Sequence, residues 1–287
     1  MKSLIHRQRK PADAFAAVIL WVMAMAVSFV FVWIVFSIVA GGLSSISREF
    51  LTKPPEFSGR SGGISTVLVS TAVILMICLG AAVPLGIATA LFLSEFTGND
   101  EWFGRLVRRS LDVLAGVPSI VFGLFGSVFF CRVLGMGYSL IAGGLTLACM
   151  VLPIFIRSAE AGLRAVPEEY RSTAAALGIS RRAVIFRLIL PAAVPGLISG
   201  LILSLGRAAA ETAALLYTSG YVDRMPESVF DSGRSLTVHI YDLAMNVPGG
   251  NSHAYGSALV LVVLLLIING AATWIGEHGL RRRLIRS

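Results

Sequence analysis

A chain of 287 residues with 56% apolar and only 14% charged side chains cannot cover itself as a water-soluble globule, where roughly a quarter of residues are charged. The bilayer is the solvent that fits this composition, with the charges confined to loops. The net charge of +8 then reads as membrane topology and anionic-lipid contact, not as nucleic-acid binding.

Apolar runs long enough to cross the hydrocarbon at about 1.5 Å per residue predict six spans, over 14–40, 65–93, 113–131, 138–156, 190–218 and 257–275. The basic start 1–13 precedes a run far longer than the 7–15-residue core of a signal peptide, so the first span is read as retained. With the N-terminus inside, seventeen Lys and Arg fall in cytosolic segments and six in outer ones. This bias places both termini, including the basic tail 277–287, in the cytosol. Outer loops cover 41–64 and 219–255. The second has apolar positions among 229–245 that suit an amphipathic helix lying on the outer surface, with His239 and His253 solvated nearby. Pro84 and Pro118, with Gly80, Gly86 and Gly116, predict kinks in the second and third spans.

No metal site and no cofactor follow from the sequence. Cys78, Cys131 and Cys149 sit in apolar runs without paired spacing, and the four histidines form no H-E-x-x-H pair. The chain carries no G-x-x-x-x-G-K-[ST] phosphate loop, so nucleotide energy has to come from a partner.

The loop at about 164–190 is the most informative. Pro167, Glu168 and Glu169 suit a helix start, and Ala174, Ala175 and Ala176 favour helix with a thin face. Gly178 offers a stop, Ser180 a cap, and a second short helix over 181–190 leads to Pro191. These residues resemble the E-A-A-x3-G-x9-I-x-L-P loop of ABC-importer permeases, aligned on Gly178 with Leu188, Leu190 and Pro191 at the closing positions. Ser172, Thr173 and Ala174 take the E-A-A places, so the usual glutamate is absent. Further stretches are similar to the A-type permease family of phosphate importers (PstA): Phe50-Leu51-Thr52, Leu114 to Phe125, Gly206 to Thr218, and Ser235 to Tyr241.

The resemblance implies an all-α membrane protein in which the last five spans, about 65–276, form a type-1 permease core. It implies translocation of inorganic phosphate by alternating access, without covalent chemistry in this chain. Implied partners are a related C-type permease subunit, two cytosolic ATPase subunits docking on the 164–190 loop, and an external phosphate-binding protein. The expected location is a bacterial or archaeal plasma membrane. A permease for another oxyanion (phosphonate, sulfate, molybdate) and an ion-coupled secondary carrier stay open as alternatives.

Arg207 and Glu211 stand in an otherwise uncharged run. A mid-bilayer charge costs at least about 2.5–3.5 kcal/mol on insertion scales, so such residues face a pathway or a partner. Their i, i+4 spacing predicts one shared helix face, with a guanidinium able to grip an oxyanion. Arg207, Glu211 and Thr212 are the pathway or gate candidates, against a purely structural ion pair.

Overall fold

A computed structural model describes residues 11–97 and 101–284. The basic start Met1–Lys10 and Arg286 lie outside the described residues. The described residues form twelve α-helices: α1 (Pro11–Gly42), α2 (Arg48–Thr52), α3 (Ser65–Leu91), α4 (Trp102–Ala115), α5 (Ser119–Gly126), α6 (Leu140–Arg164), α7 (Glu168–Ala176), α8 (Arg181–Val184), α9 (Leu190–Ala209), α10 (Ala213–Leu216), α11 (Leu236–Met245) and α12 (Asn251–Leu284). One two-stranded ribbon, Pro55–Glu56 with Ser61–Gly62, sits between α2 and α3.

Among the described residues, five helical stretches are long and apolar enough to cross a membrane, six if one bent pair counts as a single span. The expected third span is that pair. The 113–131 run is not one helix, because Trp102–Ala115 meets Ser119–Val133 at 100°. Pro118 has no N–H to give and pushes Val117 out of the helical region. The preceding helix closes instead on short turns, Gly116 N–H to Val113 O and Val117 N–H to Leu114 O. Pro84, by contrast, is carried inside α3.

The core forms where α3, α6 and α9 pack, around Ile74, Cys78, Leu147, Val151, Leu205 and Ala208. A second cluster, with Ala90, Leu93, Ala159, Leu163 and Ile189, closes the end that carries the α7 loop. At that end α6 and α9 touch backbone to backbone: a Cβ on Gly162 would stand 2.8 Å from the Gly196 Cα. Every described side chain in the first half of α1 is exposed. The helix meets the rest through its last turn, where Gly41 and Gly42 lie against Tyr255 and Leu259.

The helix expected on the outer surface is α11; its first turns are packed into the bundle, and only its later part, with Tyr241 and Met245, stays exposed. Leu236, Val238, His239 and Leu243 are buried, and the Leu236 N–H donates to Thr71 Oγ1 of α3 at 2.8 Å. Ser235 caps its start by accepting the Val238 N–H. His239 is therefore fully enclosed and not solvated. Burial beside the Arg234 cation drops its pKa to about 4. Arg234 pairs with Asp242 at 3.1 Å and donates to the Tyr221 carbonyl and to His239 Nδ1. This tie lets the helix plug the end of the bundle opposite α7.

Candidate functional site

Two regions carry the candidate residues, and they lie at opposite ends of α9. At its first end, α6 exits the bundle and α7 forms a projecting helix. Pro167 occupies the cap position, with its carbonyl accepting the Tyr170 N–H, and Glu168 and Glu169 fill the first turn. Gly178 closes it in a Schellman arrangement: Gly178 N–H donates to Ala175 O and Ile179 N–H to Ala174 O. That closure needs the left-handed φ of +67° that Gly178 adopts. Ala174 is buried against the bundle, whereas Ala175 lines a cleft of about 880 Å³ with Ser172, Arg171 and Glu95.

The second expected loop helix does not stand alone. Residues 181–209 run as one continuous stretch, with a widened π turn at Ile185–Ile189 just before Pro191. Such a turn makes room for a proline ring that a regular helix would push into the preceding turn. Leu190 packs into the lower cluster. Ser180 sits at the cap position, but its side chain makes no capping bond.

Ser172, at the place of the usual glutamate, folds back onto its own helix through the Glu168 and Glu169 carbonyls. Glu168 reaches Arg171 at 3.3 Å. The loop is anchored by Glu95, which belongs to no motif in the sequence and whose side chain is 5% exposed. Arg171 grips both Glu95 oxygens, at 2.8 and 3.3 Å, and donates to the Val166 and Leu163 carbonyls. The bond to Glu95 holds the Arg171 guanidinium above its ordinary pKa. Arg181 donates to the Glu95 carbonyl and lies over the Phe96 ring. A parallel anchor joins α4 to α6, with Glu160 accepting from Arg108 at 2.8 Å and Arg164 at 3.0 Å. A usable signal was present: an acid in the last apolar turn of a span has to find a base.

At the far end of α9 the expected shared helix face is broken. The helix stops at Ala209, the Ala210 N–H closing on Gly206 O and the Glu211 N–H on Ala208 O. Three alanines would carry a helix onward by propensity, but Glu211 is pinned from outside. Its carbonyl accepts from Thr237 Oγ1 of α11 at 2.6 Å. Its carboxylate accepts the Ala214 N–H and so caps α10. Thr212 occupies the cap position before that turn, without a capping bond from its side chain. Arg207 is in the last turn of α9, exposed, and makes no ion pair among the described residues. The structure therefore separates the two charges. It brings Glu211 to α10 and α11, and leaves Arg207 on the outside of this chain beside Gly206, around which there is open space.

The sequence model of the family described as binding-protein-dependent transport system inner membrane component matches residues 82–283. A probable ABC transporter permease protein, YqgI, of Bacillus subtilis is 31% identical over 93% of this chain and 96% of its own length. The phosphate transport system permease protein PstA 1 of Mycobacterium tuberculosis is 35% identical over 88% of this chain and 84% of its own. Among solved structures, a bacterial alginate ABC transporter in complex with an alginate pentasaccharide-bound periplasmic protein aligns with a TM-score of 0.64 at 14% identity. That alignment covers 94% of this chain and 98% of the other.

Proposed function

Because this chain belongs to the binding-protein-dependent transport system inner membrane component family, we propose that it is the A-type permease subunit of an ATP-driven phosphate importer. The observation that carries the coupling half of this reading is α7. It projects beyond the spans with Tyr170 and Leu177 exposed by 47 and 72%, beside a groove lined by Thr173, Ile179 and Leu188. Apolar side chains held clear of the bilayer by a charged anchor suit a protein partner, here the ATPase. Pro167, Glu168, Glu169, Ser172, Ala174, Ala175, Gly178, Leu190 and Pro191 form this coupling segment. The phosphate half rests on the relatives named as phosphate permeases and on Arg207.

An exposed guanidinium at the end of a span is expensive against lipid and sensible against water or protein. Arg207 then faces the interface with a related C-type permease subunit, where the substrate path runs, and its planar fork suits a tetrahedral oxyanion. Glu211 and Thr212 shape the α9–α10 break beside that path. An external binding protein delivers phosphate, and two separate ATPases supply the energy for alternating access.

The assembled transporter in liposomes, with ATP and ATPases on the α7 side, is expected to take up labelled phosphate from its binding protein. Sulfate, molybdate or phosphonate outcompeting phosphate would move the substrate to that oxyanion. Uptake by this chain alone on an ion gradient would overturn the reading altogether. Both termini and α7 are read as cytosolic. Single cysteines at Ser47 and Ser252, in a background lacking the native three, should react with an impermeant maleimide outside intact cells. Labelling of both only after lysis would reverse the orientation.

A further inference from the structure

Helix α4 presents three different faces. Gly104 and Leu111 are buried, and Val107 packs into the cluster that holds Ile156 and Leu163. Trp102, Leu106 and Val113 stand 71, 52 and 70% exposed on a second face. Arg105, Arg108 and Arg109 follow each other at i, i+3 and i+4 on a third. The 100° bend before α5 lays α4 along the membrane surface when the 119–133 stretch runs through the membrane. A helix in that position, apolar on one exposed face and cationic on the next, sits at headgroup depth.

Its arginine face closes a cleft of about 470 Å³ against α6, lined by Arg105, Arg108, Arg109, Arg157, Glu160 and Arg164. Five guanidinium groups line it with a single carboxylate, Glu160. Glu160 is occupied by Arg108 and Arg164, and Arg157 pairs with Asp112 outside the lining. Arg105 and Arg109 are exposed and pair with no acid among the described residues. The cleft is therefore a built cationic seat, with its rear arginines fixed in place by Glu160 and its front arginines open.

We propose that this cleft binds the phosphate headgroup of an anionic phospholipid. Arg105 and Arg109 hold the phosphodiester oxygens through paired N–H donors, and Arg108 and Arg157 back them with charge. The acyl chains run over Trp102, Leu106 and Val113. A free phosphate ion offers the same oxyanion chemistry, but the apolar face beside the cleft commits the site to a lipid. Basic pockets between helices at this depth suit anionic headgroups. A zwitterionic lipid, which brings its own cation, gains less from them.

The test is native mass spectrometry of the assembled transporter titrated with phosphatidylglycerol or phosphatidylcholine, with no transport step involved. Wild type is expected to hold phosphatidylglycerol roughly tenfold more tightly than phosphatidylcholine, and Arg105→Gln/Arg109→Gln to lose that preference. Arg48→Gln/Arg132→Gln removes the same charge from exposed positions outside both the cleft and the α7 loop and should keep it. Equal binding of the two lipids, or equal loss in both double variants, would overturn the site. Displacement of the lipid by millimolar inorganic phosphate, with phosphate retained in its place, would overturn the lipid assignment.

Discussion

Arg171→Ala is expected to unseat α7 and abolish capture of the ATPase while the spans still insert. The side chain is 20% exposed and Glu95 only 5%, so removing the arginine strands a buried carboxylate. Truncating one partner of a buried pair costs about 3–5 kcal/mol. The loss is concentrated at one place, since Arg171 also satisfies the Leu163 and Val166 carbonyls where α6 gives way to the loop. The double variant Glu95→Leu/Arg171→Met exchanges the pair for apolar bulk and is expected to recover most of the stability, as such exchanges commonly do. Thermal unfolding of detergent-purified protein reads the first effect, and pull-down of the ATPase the second. A single variant that melts like wild type and still captures the ATPase would show that α7 is placed by packing alone.

Arg207→Gln is expected to reduce phosphate uptake to background with the level of assembled complex unchanged. Arg207→Lys should fall between, because it keeps the charge and loses the planar fork. Glu211→Gln acts differently: the amide oxygen can still accept the Ala214 N–H that the carboxylate accepts, so the variant removes the charge and keeps the start of α10. With no ion pair joining them, the two changes should combine additively, so the double variant should carry no more phosphate than Arg207→Gln. Uptake restored in the double variant, normalised to assembled complex, would show that the charges pair during the cycle and would sink the separate roles.

The spans and the α7 loop were legible because their signals are local. Uncharged length marks a span, and Pro167, two acids, an alanine run and Gly178 spell out a helix with both ends. The failures were tertiary. The break after Ala209 leaves no mark in an alanine-rich sequence, since Thr237 imposes it from another helix. Helix α11 has the apolar spacing of a surface helix, and its ties to Thr71 and, through Asp242, to Arg234 show why its first turns are enclosed. Helix α4 was hidden by its own arginines, which ended the apolar run. Its apolar residues Phe103, Leu106, Val107, Leu111 and Leu114 nevertheless keep helical spacing. Glu95 and Glu160 were readable as acids near span ends, but which arginine each would take depends on how α3, α4 and α6 pack.

The bare crossing of Gly162 and Gly196 has a mechanical consequence. Side chains interlocked at a helix crossing resist rotation as well as separation, whereas two glycines in contact fix the distance and leave the angle soft. If the helices reorient during transport, this crossing is expected to serve as the fulcrum. Gly162 lies close to the α7 end of α6, so the short arm is on the loop side and the long arm extends to Leu140. A small displacement of α7 becomes a wider arc at the opposite membrane face. Any side chain added at either glycine would thicken the pivot and shorten that stroke before it touched a single substrate contact.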